Sequence, residues 1–158
     1  MSTTFARHAA PVASSWVAEA IGWLARIGLA FTFWLSGQTK IEGLVLDPLA
    51  LQVQWGWPQV SASALELFRS EYALPLLPPE WAALLAAGAE HVLPLLLLLG
   101  LGTRLAALGI LGMTLVIQVF VYPGAYATHG TWAALLLYLM ARGPGVFSID
   151  HLLMRRLR

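Results

Sequence analysis

The chain has no cysteine in its 158 residues, which excludes disulfides, zinc–thiolate sites, iron–sulfur ligation and thiol redox chemistry together. It is also poor in charge. Asp, Glu, Lys and Arg make up 11% of it, less than half the roughly 25% of a soluble domain. With a formal net charge of +1 it has no basic excess with which to neutralise a phosphate backbone, so no nucleic-acid partner is expected. Apolar surface stands in the place of charge. The hydrophobic fraction is 59% and the mean hydropathy +0.74, the profile of a chain whose solvent is a bilayer. No internal repeat and no low-complexity tract is visible, and the length suits a single membrane domain over residues 1–158.

A helix needs about 20 mostly apolar residues to cross hydrocarbon. Four segments are expected to do so, at about 16–36, 81–101, 103–122 and 128–142, the last being short enough to need a thinned surround. Arg26 interrupts the first apolar run and no small-x-small cleavage pattern follows, so this run reads as a retained span rather than a leader. Gly100-Leu101-Gly102-Thr103 should turn the second span into the third, with Thr103 as the new cap. Tyr122-Pro123-Gly124 should break the third from the fourth. The expected fold class is an all-α membrane protein, a four-transmembrane-helix bundle with an extracytoplasmic loop and a short helix between the first two spans.

Basic residues set the orientation. Arg7, Arg104, Arg142, Arg155, Arg156 and Arg158 fall on one side, and Glu42, Asp47, Glu66, Glu71 and Glu80 against Arg69 fall on the other. Both termini should therefore be cytoplasmic. Trp34, Trp81 and Trp132 would mark the outer interface and Trp16 the inner one. The outer loop at 41–80 contains an aromatic turn, Trp55-Gly56-Trp57-Pro58. Ser63-x-x-Glu66 has the form of a capping box and would open a short helix. Pro79 and Glu80 suit the start of the second span. Such a loop would be either a lid over the bundle or a seal. The tail at 143–158 reads as an amphipathic cytoplasmic end able to touch anionic lipid.

Polar residues inside the spans carry the functional question, because an ionisable group in hydrocarbon costs several kcal/mol and is functional by default. Glu90 lies in the middle of the second apolar run, on a side of small residues with Ala83, Ala86 and Pro94 that should face protein. Lys40 and Arg26 lie on one stripe of the first helix, about 21 Å apart along its axis. Gln118 and Tyr122 on the third span, with His129 and Tyr138 on the fourth, extend the set. An outer layer of Lys40, Gln38, Glu90, His91, Gln118 and His129 is the expected ligand-binding region. There Glu90 would exchange protons and Lys40 or His129 would bond the carbonyl of a quinone, with Tyr138 as a further binding residue. The competing reading is an ion pair of Glu90 and Lys40 that fixes helix register. In the inner layer, Arg26 and Asp150 are expected to form a structural ion pair. His91 and His129 do not share a depth, as two axial haem ligands must. Met113, Met140 and the histidines form no compact copper site. No metal or haem is expected.

Three stretches carry a family resemblance in order: Arg26-x-x-Leu29-x-x-x-Phe33-x-x-x-Gly37-x-x-Lys40; Glu90 followed by Leu99-Gly100-Leu101-Gly102-Thr103-Arg104; and Gly143-Pro144-Gly145-x-x-Ser148-x-Asp150. Together they resemble the DoxX family. The resemblance implies a four-helix bundle in a bacterial inner membrane that works with an oxidoreductase or periplasmic partner, since relatives include the small subunit of thiosulfate:quinone oxidoreductase. Other relatives resemble partners of systems that handle oxidative stress or copper-binding peptides. The chain departs from the family pattern in its longer outer loop and its lack of cysteine. Two functions follow: a quinone-reactive subunit with quinone as its cofactor, or a non-catalytic assembly, transport or small-molecule or copper-handling accessory. Membrane lipids are expected partners in both, and a homo-oligomer is compatible with either.

Overall fold

A computed structural model describes residues 15–157; Arg7 and Arg158, used above for orientation, lie outside it. Three helices are long and apolar enough to cross a membrane: α1 (Ser15–Gln38), α3 (Pro79–Leu99), and α4 (Thr103–Val116) with the π-helical stretch Ile117–Val121 that continues it. A fourth long helix, α5 (Tyr126–Arg142), has 17 residues. The long helices form a ring in which α1 packs on α3 and α5, and α4 packs on the same two. Leu29, Phe33, Leu97, Ile110, Leu136 and Leu139 fill its centre. The outward faces stay apolar, with Leu24, Leu84, Val92, Leu105 and Leu137 all exposed, as lipid-facing residues must be.

Between α1 and α3, where a loop and a short helix were expected, the chain also forms short strands. β1 (Ile41–Glu42) pairs antiparallel with β4 (Gln59–Val60), and β2 (Val45–Asp47) pairs with β3 (Gln52–Gln54). The result is one long hairpin from Lys40 to Ser61, whose backbones also join there, Ser61 N donating to Lys40 O at 3.0 Å. α2 (Ala62–Ser70) follows. Its cap is Ser61, whose hydroxyl accepts from Ala64 N at 3.1 Å, not the expected Ser63. Pairing holds the chain extended through Val60, so Ser61 is the first residue free to turn. Phe68 of α2 packs on Ala82 and Ala83 of α3, and Arg69 pairs with Glu80 at 2.7 Å in an exposed bridge.

At the other end of the ring, the tail folds back beneath α3 through α6 (Ile149–Arg156). Arg26 is buried there, and its guanidinium donates to four carbonyls: Leu97 (2.8 Å), Leu98 (2.6 Å), Pro144 (2.9 Å) and Phe147 (3.1 Å). Asp150 does not pair with it. Its carboxylate instead accepts from Gly102 N (2.8 Å) and Thr103 N (3.1 Å), capping α4. The expected ion pair is therefore two separate caps on one turn, because the α3 C-terminus offers orphan carbonyls and the α4 N-terminus offers orphan N–H groups. Thr103, expected to cap α4, leaves its hydroxyl buried without a partner. Gly100, at φ 67°, ends α3, and a Cβ there would lie 2.6 Å from Arg26 Nη2. Arg26 can reach the last carbonyls of α3 only past a glycine.

One more glycine sets the site. At Gly37 a Cβ would lie 2.8 Å from the His91 ring and 3.0 Å from Glu90 Cβ, so α1 and α3 approach most closely there. Gly37→Ala should lower stability by about 1–3 kcal/mol through overpacking. Gly28→Ala, with nothing within 4 Å of its new methyl, should cost nothing. Thermal unfolding of the two variants in detergent, followed by circular dichroism, checks this, and equal midpoints would refute the close crossing.

Candidate functional site

Above the close crossing the helices enclose a cavity of about 340 Å³, a volume within the range of small-ligand sites. Its walls are mainly apolar: Phe33 on α1, Ala82, Ala86 and Ala89 on α3, Met113 and Ile117 on α4 and its extension, and Trp132 on α5. Phe68 of α2, with Tyr72, Leu74 and Leu77 after it, closes the loop end. The large exposed residues of the lining are Leu77, Leu85, Val116 and Tyr122. Leu85 and Val116 lie on α3 and α4, and Leu77 and Tyr122 lie next to their loop-side ends, so the cavity has an opening between those two helices.

Two polar features face this greasy space. The first is an ion pair between Lys40 Nζ and Glu90 Oε2 at 2.7 Å, with the two side chains 8% and 4% exposed. Lys40 also donates to Ser36 O at 3.1 Å and Ser36 Oγ at 3.0 Å. All three N–H groups of the ammonium thus point at protein. The contact to Oε2 is short and compensates the charge of both groups. A carboxylate has room for about four hydrogen bonds, and Lys40 and Ser36 take only part of that capacity at Glu90.

The second feature is His129, buried at the wall. Gln118 Nε2 donates to Pro123 O at 2.6 Å. Only the amide nitrogen can face a carbonyl, which leaves Gln118 Oε1 facing His129 Nδ1 at 2.7 Å. Nδ1 must then carry a proton, and in the neutral ring Nε2 is an acceptor. No described residue bonds Nε2. The π-helical stretch makes this arrangement: Tyr122 N bonds Ile117 O five residues back at 2.8 Å, and the extra residue per turn re-aims Gln118.

Of the ligand-binding residues expected from sequence, Lys40, Glu90 and His129 meet at the cavity, and Gln118 stands behind His129. Three others are elsewhere or otherwise engaged. Gln38 and His91 bond each other at 2.8 Å on the far side of α1, where Gln38 Oε1 also accepts from Leu46 N and His91 Nδ1 meets Ala87 O. They hold the hairpin to the bundle, because helical spacing turns His91 about 100° from Glu90. Tyr138 donates to Ala18 O at 2.8 Å near the tail, joining α5 to α1 far from the site. Sequence reasoning missed Ser36, Tyr72 and the cavity role of Trp132. Ser36 is one helical turn before Lys40, the spacing at which it can orient the ammonium. Tyr72 could not be found that way, since it arrives from the connection between α2 and α3. Trp132, expected at an interface, packs edge-on to Phe33 with centroids 5.0 Å apart. At the outer mouth Tyr122 Oη donates to Glu71 at 2.7 Å and lies 3.3 Å from Tyr72 Oη. Among the described residues no group of three or more His, Asp or Glu side chains converges as a metal site.

The family model described as DoxX matches residues 22–123. This interval contains Arg26, Lys40, Glu90 and Gln118, and stops short of His129 and Asp150. No curated protein and no solved structure matches the chain.

Proposed function

We propose, from the premise that this chain belongs to the DoxX family, that it is the membrane subunit of a quinone-linked oxidoreductase system and binds the reduced, hydroxyl-bearing head of an isoprenoid quinone. The reading has α5 as a fourth span, in a bacterial inner membrane, with the tail end cytoplasmic. One observation carries it. The titratable groups with capacity to spare at the cavity, the Glu90 carboxylate and His129 Nε2, are acceptors, while the Lys40 ammonium is spent on Ser36 and Glu90. A quinone carbonyl would find no ammonium donor there. A quinol offers two hydroxyls, each to a base.

The chemistry balances with a partner. In the reducing direction, a reduced centre of a partner oxidoreductase supplies two electrons to the quinone, and Glu90 and His129 in their protonated forms supply two protons. The quinol product is then held by the carboxylate and the imidazole that gave them up, and reversal oxidises quinol. Apolar walls keep water away from the ring, and the isoprenoid tail leaves between α3 and α4.

The test is a titration of the purified protein in lipid nanodiscs with a short-chain quinol and with the matching quinone. The quinol should bind at least about tenfold tighter, since one charge-assisted hydrogen bond contributes about 1.5–3 kcal/mol and a tenfold change in affinity is 1.4 kcal/mol. His129→Leu should lose that preference with helicity intact. If neither ring form binds, the site reduces to a register-fixing ion pair, and the chain is an assembly module.

A further inference from the structure

The hairpin between α1 and α3 does not stand away from the bundle. Leu46 N donates to Gln38 Oε1 at 2.6 Å, and Trp34 Nε1 donates to Leu46 O at 2.8 Å, so β2 runs back along α1 rather than outward from its end. Beyond Leu46, Pro48 closes a groove of about 140 Å³ whose other walls include Phe31 on α1 and Pro94, Leu95 and Leu98 on α3. Phe31 lies seven residues, or about 10 Å, inside the end of α1. Leu98 is next to the last residue of α3. A segment that reaches those neighbours from outside the ring is level with the spanning parts of both helices. The tip beyond Pro48 is apolar and uncovered: Leu49 is 71% exposed and Leu51 87%.

We propose that this is a re-entrant hairpin, with its tip at Leu49–Leu51 seated among lipid acyl chains. Depth chooses the occupant, since whatever surrounds Phe31 and Leu95 on the lipid side of two spanning helices surrounds the tip as well. The backbone agrees, because polar groups taken into hydrocarbon must be satisfied within the protein. At the tip, Asp47 Oδ1 accepts from Leu49 N and Ala50 N, each at 2.9 Å. On the edge of β2 that faces α1, side chains of that helix take both groups of Leu46. Leu51 has φ 53°, a left-handed conformation that glycine adopts more readily. A leucine is kept there where its side chain projects outward. Gln38, Trp34 and His91 thus gain a purpose apart from the quinol site: they clamp a membrane-dipping element to the bundle.

The absence of cysteine makes the test direct. Leu51→Cys provides a unique thiol for an environment-sensitive NBD fluorophore, and the labelled full chain is reconstituted in phosphatidylcholine vesicles. Leu76→Cys, from an 88% exposed position at the loop end, is the comparison, and Leu49→Cys repeats the tip measurement if Leu51→Cys does not fold. The tip label should emit at shorter wavelength than the Leu76 label. Lipids with a doxyl group on the acyl chain should quench it several-fold more than iodide in the buffer, and the Leu76 label should show the reverse order. Iodide quenching of the tip equal to that at Leu76 would put the hairpin in water. Protection from both quenchers would put it under another copy of the chain. Either result overturns the proposal.

Discussion

Arg26→Met is expected to prevent this protein from being recovered as a folded bundle in detergent. The guanidinium is buried, and its four hydrogen bonds end on two segments far apart in sequence, the C-terminus of α3 and the turn before α6. Methionine can fill much of the volume, but it leaves the carbonyls of Leu98, Pro144 and Phe147 without a donor, while Leu97 O keeps Gly100 N. An unpaired buried acceptor costs about 1–3 kcal/mol, so three of them cost about 3–9 kcal/mol, comparable with the lower part of the typical net stability of about 5–15 kcal/mol. The positive charge matters as well, since it sits where the α3 dipole is negative and lies 4.7 Å from the Trp23 ring centroid. Arg26→Lys should be intermediate, because an ammonium is a point donor that cannot fork across two segments. Asp150→Asn supplies the contrast. It only weakens a cap, at about 1 kcal/mol. Were the two residues an ion pair, both variants would be comparably damaging, so the unfolding midpoints of Arg26→Lys and Asp150→Asn in denaturant titrations decide the matter.

Lys40→Met should be nearly as harmful, for a different reason. It strands the Glu90 carboxylate among Ala86, Ala89 and Phe33, and breaking one side of a buried pair typically costs about 3–5 kcal/mol. Glu90→Met strands the ammonium, although the Ser36 carbonyl and hydroxyl still hold it, so its cost should be smaller. The double variant should recover most of the loss, because a buried pair replaced by well-packed apolar residues is often neutral or stabilising. A double-mutant cycle by thermal unfolding should give a coupling of about 2–3 kcal/mol, within the range for residues in direct contact. Additive costs would mean that the two charges do not compensate each other. The double variant also separates fold from function: it should be stable and yet fail to bind quinol, since the acceptor has gone with the charge.

Length and apolarity determined most of the architecture from the sequence alone. Three long helices had to cross hydrocarbon, their polar residues had to turn inward, and glycine at position 100 had to end α3, because each follows from the free energy of a local stretch of chain in lipid or in its own backbone geometry. Helical spacing likewise put Glu90 on a face of small residues. The sequence could not say what each inward group would meet, as partners 50 to 120 residues away are chosen by packing. Lys40 met Glu90 because Gly37 leaves room for the side chains of Glu90 and His91 against α1. Arg26 met carbonyls rather than Asp150 because two helix ends converge on one turn and each takes the cap its orphan groups require. His91, adjacent to Glu90, was rotated out of the cavity to hold a hairpin whose pairing no local pattern announced. The ligand chemistry was the furthest out of reach, because the acceptor character of His129 depends on a proline carbonyl orienting a glutamine, a chain of contacts that exists only once α4 and α5 are packed.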